Sequence, residues 1–311
     1  MTKAKVYFSD MRTRYGGLSL PQKLGKLIEA AGIGDIDFQN KFAAIKIHFG
    51  EPGNLSFLRP NYAKVVVDTV AAQGGRPFLT DCNTLYVGRR KHALEHITAA
   101  YENGFSPFST GCHIIIADGL KGTDEAYVTV PGGELVQEAK IGKALMDADI
   151  VISLNHFKGH EATGFGGAIK NISIGMASQE GKCLIHTAGE SHTSPWGGEQ
   201  DPFLESMAEA GKSVVDALDG NIVYVSVMNH LSVDCDCDGN PEEPDMHDIG
   251  ILASTDPVAL DQACVDLVYA SQDDTESLIN RMESRNAVHV LEHGEEIGLG
   301  SRNYQLVSID E

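Results

Sequence analysis

Residues 42–81, FAAIKIHFGEPGNLSFLRPNYAKVVVDTVAAQGGRPFLTD, decide the fold class of this chain. The apolar runs at 42–49 and 77–81 have the length of strands, and residues 61–73 between them place apolar side chains at helical spacing. A strand, a helix and a second strand in this order form a βαβ unit, whose right-handed crossover joins two parallel strands. The stretch therefore predicts an α/β fold with mostly parallel sheets and flanking helices.

The same alternation continues in both directions along the chain. Further strands are predicted at residues 5–9, 112–117, 126–130, 150–154, 221–228 and 250–253, and further helices at residues 20–31, 92–103, 140–146, 201–218 and 256–267. No linker marks a domain boundary, so we expect one α/β region over residues 1–311. A division into subdomains of about 1–135 and 136–311, with the active crevice between them, is the open alternative.

Composition argues against two classes of partner. Lys and Arg total 24 against 44 Asp and Glu, and the formal net charge of −20 opposes attraction to phosphate backbones, so no nucleic-acid partner is expected. No run approaches the roughly 18 apolar residues of a membrane helix, and the N-terminus lacks the apolar core of a secretion signal. We therefore expect a cytoplasmic protein without a membrane partner. The oligomeric state does not follow from the sequence.

The densest set of chemically active residues follows the strand predicted at 150–154. Residues 155–175, NHFKGHEATGFGGAIKNISIG, contain two histidines, two lysines, one carboxylate and five glycines. Glycines allow backbone amides to approach a ligand closely, and a strand that leads through such a loop into a helix commonly presents an anion site. The predicted residues for binding a small anion are Lys158, Gly164, Gly166, Gly167 and Asn171.

Four residues are candidates for catalysis. In the glycine-rich run, His160 can act as a general acid or base, and Lys170 as an anion clamp or a covalent attachment point. His48 and Asp81 follow two earlier strands, and the carboxyl ends of parallel strands meet at one edge of a sheet. The alternative is that these histidines and lysines are structural or solvated. His96 lies in a helical, charged segment, and we expect it at the surface.

The acidic loop at 232–248 offers a second set of chemically active side chains. Its candidate metal ligands are Cys235, Cys237 and His247. Thiolate and imidazole are soft and borderline ligands that suit zinc or iron. The alternative is a solvated acidic loop that carries two cysteines by chance. We expect a divalent metal, zinc, iron or nickel, and the sequence leaves open whether this loop or the glycine-rich crevice binds it.

Several of these segments resemble the domain-of-unknown-function 362 family. The resemblance rests on HFGE at 48–51, TDCN at 80–83, NHFKGH at 155–160, GFGGAIKN at 164–171 and DIGILASTDPVA at 248–259, and it covers nearly the whole chain. Members are commonly described as iron-sulfur centre proteins, because many carry an inserted ferredoxin-like segment. This chain has no Cys-x2-Cys-x2-Cys-x3-Cys run, so we expect no ferredoxin-type cluster.

A second, more distant similarity is to the nickel-pincer lactate racemases. His160, Lys170 and His186 follow one another at separations of ten and sixteen residues, as a His, a Lys and a His do in that family. The resemblance implies an acid or base at His160, a cofactor-holding Lys170 and a nickel ligand at His186. It is confined to this stretch, so a pincer cofactor is not expected. We expect a related metal site that uses His186, with His156 as a further ligand.

Together these residues predict a cytoplasmic, metal-dependent enzyme that acts on a small anionic molecule in a crevice rich in histidine, lysine and glycine. Two alternatives stay open. One is a non-catalytic metal-binding or iron-sulfur-related protein that uses Cys235 and Cys237, and the other is a small-anion binding module without turnover. The reaction type does not follow from these residues.

Overall fold

The computed structural model describes residues 3–273 and 275–310, which fold into helical layers on both faces of one large sheet. In chain order the elements are β1 (Ala4–Asp10), α1 (Leu20–Ala30), β2 (Phe42–Lys46), α2 (Pro60–Ala72), β3 (Arg76–Asp81), α3 (Ala93–Glu102), α4 (Pro107–Thr110), β4 (Ile114–Ile116), β5 (Glu125–Thr129), β6 (Glu138–Gly142), α5 (Lys143–Met146), β7 (Ile150–His156), β8 (Lys158–His160), β9 (Gly164–Gly166), α6 (Ala168–Ile172), α7 (Gln179–His186), α8 (Gln200–Ala217), β10 (Ile222–Met228), β11 (Gly250–Ser254), α9 (Pro257–Tyr269), α10 (Glu276–Ser284), α11 (His289–Glu296) and β12 (Tyr304–Ser308).

The large sheet has eight strands in the order β12-β1-β11-β10-β7-β2-β3-β4. All neighbours are parallel except at β11, which runs antiparallel to both β1 and β10. The predicted α/β fold with a mostly parallel sheet is therefore confirmed. Strands from both sides of residue 135 share this sheet, and β2 pairs with β7 across that position. The division into two subdomains stays a prediction.

The central strand β7 explains why the sheet lies between two layers. Ile150 and Ile152 pack into the core on one face, and Val151 packs into the core on the other. A parallel strand covered on both faces has a continuous apolar sequence instead of an alternating one. Helices α1 and α2 contribute to the first core, and α6, α8 and α9 contribute to the second.

Helix starts follow the capping residues of the sequence. Asp256 accepts a hydrogen bond from the Ala259 amide at 2.9 Å, and Pro257 occupies the first turn of α9, where its missing N–H costs nothing. Pro60 has the same place in α2. These signals predicted the beginning of α9 correctly.

The segment at 140–146 and the glycine-rich run differ from prediction. The helix predicted at 140–146 begins only at Lys143, because residues 138–142 form β6 and pair antiparallel with β5. The glycine-rich run forms the hairpin β8–β9 and then the short helix α6. The two-stranded pairings override the local helical pattern, as tertiary contacts often do.

Within residues 3–273 and 275–310, no helix is both long enough and apolar enough to span a lipid bilayer.

Candidate active site

The candidate active site lies at the carboxyl edge of the large sheet. Asp81 ends β3, His156 ends β7, and His48 lies two residues beyond the end of β2. The sheet is parallel at these strands, so their ends face one side, where open α/β sheets bind ligands. The hairpin β8–β9, helix α6 and the acidic loop at 232–248 are the other parts of this site.

His160, Cys235 and Cys237 form the cysteine cluster of this site. One ligand atom from each residue lies within 4.8 Å of the other two. Cys235 is buried and Cys237 is half-buried. From the sequence, the histidines of the glycine-rich crevice and the cysteines of the acidic loop were alternative metal sites. In the structure, one crevice histidine, His160, lies beside the two loop cysteines.

Gly159 explains how the hairpin reaches the cysteine loop. A Cβ at this position would lie 2.1 Å from the carbonyl oxygen of Val233. The Gly159 amide also donates to the Ser232 carbonyl at 2.8 Å. Only glycine permits two backbones to approach so closely. This contact places His160, the next residue, beside the cysteines.

The hydrogen bonds of His160 define its tautomer. Its Nδ1 accepts from the amides of Ala162 at 3.1 Å and Thr163 at 3.2 Å. A neutral imidazole has one acceptor nitrogen and one donor nitrogen, so the proton lies on Nε2, the nitrogen left to face Cys235. Burial lowers the pKa of His160, and the charge of Lys170 lowers it further. The ring is therefore neutral at physiological pH.

The two cysteines differ in how readily they ionise. The hydrogen bond from Cys237 lowers the pKa of Cys235 well below its usual value, although burial opposes this effect. The charges of Lys158 and Lys170 lower the Cys235 pKa further. The same sulfur-to-sulfur hydrogen bond, together with burial, raises the pKa of Cys237. Cys235 is therefore the first thiol to ionise.

Asp236 anchors the turn between the two cysteines. Its Oδ1 lies 2.8 Å from His156 Nδ1, and its Oδ2 lies 3.5 Å from Lys158 Nζ. Burial would raise the pKa of this carboxyl, but the charges of His156 and Lys158 hold it below its usual value. His156 Nε2 lies 2.6 Å from the Asn229 carbonyl, so both nitrogens of the ring are occupied. His156 was predicted to bind a metal, but in the structure both of its ring nitrogens hold the acidic loop in place.

Lys170 contrasts with Lys158, which is paired. Lys170 is half-buried, and its ammonium makes no hydrogen bond or salt bridge to any residue among 3–273 and 275–310. A Cβ at Gly166 would lie 3.6 Å from Lys158 Nζ and 3.8 Å from Lys170 Cδ. Gly166 therefore leaves space beside both lysines. Gly164 adopts φ +76 and packs against Ala287, on the side of α10.

The N-terminus of α6 already has an anionic partner. The amides of Ala168 and Ile169 donate to the buried Asp261 carboxylate at 2.7 and 2.9 Å. A Cβ at Gly167 would lie 2.3 Å from Asp261 Oδ1. Gly167 therefore leaves room for the Asp261 side chain of α9. This carboxylate occupies the N-terminus of α6, where the sequence predicted that an external anion binds.

His186 lies near the cluster with a free acceptor nitrogen. Its Nδ1 donates to the Lys182 carbonyl at 2.7 Å, and its ring stacks on Phe203 at 4.8 Å between centroids. Burial lowers the pKa of His186 to about 4, and the charges of Lys170 and His160 lower it too. The neutral ring thus presents a lone pair at Nε2. A histidine that ligates a metal through one ring nitrogen usually donates the other N–H to a carbonyl or carboxylate, as His186 does to Lys182.

A second group of charges, the paired charge network, joins the ends of β2 and β3. Lys46 Nζ lies 2.9 Å from Asp81 Oδ1, and Arg90 Nη1 lies 3.3 Å from Asp81 Oδ2. Arg90 Nε also lies 3.0 Å from Glu51 Oε2. Lys46 and Arg90 are each only 1% exposed. Lys46 also donates to Asn171 Oδ1 at 2.9 Å, so this predicted ligand-binding amide is engaged inside the protein.

His48 and His247 occupy contrasting places. His48 is half-buried, its Nδ1 accepts from the Gly50 amide at 3.0 Å, and burial and Arg90 hold its pKa well below the usual value. His247 is exposed and pairs with Asp273 at 3.0 Å, so it does not join the cysteines. His247 lies ten positions after Cys237 in the chain, and its side chain is on the protein surface.

Three residues of this site, Arg90, Asp236 and His96, were not predicted from the sequence. His96 was expected at the surface, yet it is fully buried and lies 3.5 Å from Asp81. The buried positions of α3 are Ala93, His96, Ala99 and Ala100. Their helical spacing was a readable signal for a buried His96. Nothing in the local pattern marked Arg90 or Asp236. Asp236 contacts His156, 80 residues earlier in the chain, and Arg90 contacts Glu51, 39 residues earlier.

Comparison with known proteins identifies the family to which this chain belongs. Residues 43–266 match the family described as domain of unknown function (DUF362). A thylakoid-associated protein from Synechocystis sp. is 26% identical over 219 residues, and the match covers 70% of this chain and 59% of that protein's length.

The chain is also similar to two solved structures at low sequence identity. A protein from Thermotoga maritima has a TM-score of 0.47 at 14% identity, with coverage of 93% of this chain and 60% of that chain. The lactate racemase apoprotein from Thermoanaerobacterium thermosaccharolyticum has a TM-score of 0.47 at 10% identity, with coverage of 98% and 83%.

Proposed function

The chain belongs to the DUF362 family, and within that family we propose that it is a metal-dependent enzyme acting on a small anionic molecule. One observation carries the proposal. Two thiols and an imidazole converge within 4.8 Å at the carboxyl edge of the sheet, beside Lys170, which has no hydrogen-bond or salt-bridge partner among residues 3–273 and 275–310. Soft ligands next to an unpaired cation suit a metal and an anionic substrate together.

The cysteine cluster suits a soft divalent metal such as zinc, iron or nickel. Two cysteines and one histidine leave a fourth position open in a tetrahedral site, which is typical of catalytic centres. A metal bound there would polarise an oxygen of the substrate. We propose His160, Cys235 and Cys237 as its ligands. His186 is a further candidate, since its free Nε2 can accept a metal or a proton.

Two residues of the chain would act on the substrate directly. The Lys170 ammonium is proposed to bind the anionic group, because in the described part of the chain it has no hydrogen-bond or salt-bridge partner to give up. His186 Nε2 is proposed to take a proton from the substrate, since the ring is neutral well above its pKa of about 4. Lys158 would contribute positive charge while its ammonium stays near Asp236.

Elemental analysis of protein purified without oxygen, together with an absorption spectrum, tests the metal. We expect about one metal ion per chain. The double variant Cys235→Ser with Cys237→Ser should lose it, and Cys183→Ala is the matched control, a buried cysteine outside the cluster. Metal retained by the double variant, or absent from the wild type, would contradict the proposal.

One observation favours a second candidate, metal-free thiol chemistry. Because Nδ1 of His160 accepts two amide hydrogens, the ring proton lies on Nε2 and can stabilise a Cys235 thiolate. A metal at Nε2 would require the single ring proton to move to Nδ1, where it would face the two N–H groups of Ala162 and Thr163. A metal-free wild type in which iodoacetamide alkylates Cys235, but not Cys264, would support this candidate.

We also propose that the protein acts in the cytoplasm. All six cysteines are free thiols, which suits a reducing compartment. Fractionation of cells followed by immunodetection tests this placement. Recovery of the protein in a membrane or secreted fraction would contradict it.

A further inference from the structure

We propose that Cys235 and Cys237 form a reversible disulfide that switches the cysteine cluster between a metal-binding and a metal-free state. The switching of metal rests on the proposed function, whereas the disulfide itself does not. The proposal stands on the geometry of the loop that carries both sulfurs.

The two cysteines lie in one tight turn. The amide of Asp238 donates to the Cys235 carbonyl at 2.8 Å and closes the turn. Consecutive Cα atoms are about 3.8 Å apart, so a bend near a right angle places residues two apart at about 5.4 Å, within the range of disulfides. The sulfurs themselves lie within 4.8 Å of each other, and the Cys237 amide donates to Cys235 Sγ at 3.4 Å.

The residue between the cysteines holds the turn in place. The Asp236 side chain points inward to His156, and the Asp236 carbonyl accepts from the Glu51 amide at 3.0 Å. These contacts do not involve either sulfur. A disulfide can therefore form by rotation of the two cysteine side chains, without release of the loop from the sheet edge.

The bond would form by thiol–disulfide exchange with a small disulfide, written RSSR. The half-buried Cys237 is the accessible sulfur: it passes its proton to the neighbouring Cys235 thiolate and attacks one sulfur of RSSR, which leaves Cys237–S–SR and releases RS⁻ that takes up a proton from solvent to become RSH. The buried Cys235 then loses its proton and attacks the Cys237 sulfur, which releases a second RSH. Two protein thiols are oxidised, and one RSSR is reduced to two RSH.

Oxidation would remove two of the three ligands of the cluster at once. A disulfide sulfur is a much poorer metal ligand than a thiolate, so His160 alone could not hold the metal. The other cysteines cannot substitute, because all of them are buried outside the cluster. They are Cys82, Cys112, Cys183 and Cys264.

Oxidised glutathione is the probe for the test. The reduced protein, with its metal and after chelation, is incubated with this disulfide, and thiols, metal content and peptide masses are measured. We expect the free thiols to fall from six to four, with a bond between Cys235 and Cys237, recovery with dithiothreitol, and a metal loss of about tenfold or more. Unchanged thiols would overturn the proposal.

The variant Cys235→Ser is the control for the exchange steps. Without the resolving sulfur, we expect it to accumulate a stable glutathione adduct on Cys237, while the wild type accumulates none. The same adduct in the wild type would overturn the proposal. The two proposals fail separately: a disulfide in a protein that never held metal overturns only the metal site, and bound metal without any disulfide overturns only the switch.

Discussion

The paired charge network and the cysteine cluster occupy the same edge of the sheet but differ in how their polar groups are satisfied. In the network, Lys46 and Arg90 each have a carboxylate partner and are almost inaccessible. Beside the cluster, Lys170 has no partner among the described residues, and Cys237 remains half-buried. The paired charge network holds the strand ends together, whereas the cysteine cluster leaves an ammonium and a thiol accessible to a ligand.

This difference follows from the cost of burying charge. A buried ion contributes little net stability when paired, but it is strongly destabilising when its partner is removed. Asp81 contacts both Lys46 and Arg90, so it joins the two cations, while Glu51 pairs with Arg90 only. An unpaired group at a site edge is tolerated only where it is partly hydrated, as Lys170 is. The two regions should therefore respond in opposite ways to substitution.

The largest effect is expected from Asp81→Asn. The neutral side chain would leave the buried Lys46 without a carboxylate and Arg90 with Glu51 alone, and we expect a loss of about 3–5 kcal/mol in the free energy of unfolding. Asp68→Asn, which removes an exposed pair with Lys64, is the control and should cost about 0.5 kcal/mol or less. Urea denaturation measures both. Equal losses would show that the network is not structural.

The next effect concerns pH and Asp261, which supports the helix that carries Lys170. Burial raises the pKa of Asp261 from 3.8 to about 7, although two amide hydrogen bonds oppose this. Its folded pKa is raised, so its contribution to stability is complete below pH 3.8 and is lost as pH rises towards 7. We expect Asp261→Asn to remove on the order of 4 kcal/mol of this pH dependence, because the pKa rises from 3.8 to about 7 and each pKa unit corresponds to about 1.4 kcal/mol. Denaturation curves from pH 4 to 8 measure it, and identical slopes for both proteins would contradict the assignment.

The comparison also shows what the sequence could predict. Apolar strands such as residues 150–154 and the Asp256 cap are local signals, and they gave the α/β class and most element boundaries. The convergence of His48, Asp81 and the glycine-rich run followed from parallel topology alone. Strands, helix starts and their order can be read from the sequence because each depends on residues that are neighbours in the chain.

Contacts between distant segments could not be predicted in the same way. The pairing of Asp236 with His156 joins residues far apart in sequence, and no periodicity encodes it. The choice of His160 over His247 beside the cysteines depends on the close approach at Gly159. The metal, the substrate and the division into subdomains stay predictions.

A smaller effect on stability, with a clear effect on binding, is expected from Lys170→Met. Because no described residue forms a hydrogen bond or salt bridge with the Lys170 ammonium, the unfolding free energy should change by about 0.5 kcal/mol or less, while affinity for oxalate or inorganic phosphate should fall about tenfold. Lys46→Met is the matched control and should lose stability, because it leaves Asp81 with one cation fewer. Calorimetry and urea denaturation measure the two properties. If Lys170→Met lost stability like Lys46→Met, the two regions would not differ as described.

The smallest effect is expected from His247→Ala. The ring is exposed and pairs only with Asp273, in an ion pair that solvent screens. We therefore expect no measurable change in unfolding free energy or metal content, whereas His160→Ala should lower metal content, because it removes a ligand of the cluster. Elemental analysis of both variants checks this. Metal loss in His247→Ala would mean that His247 binds the metal and that the cysteine cluster is not the complete metal site.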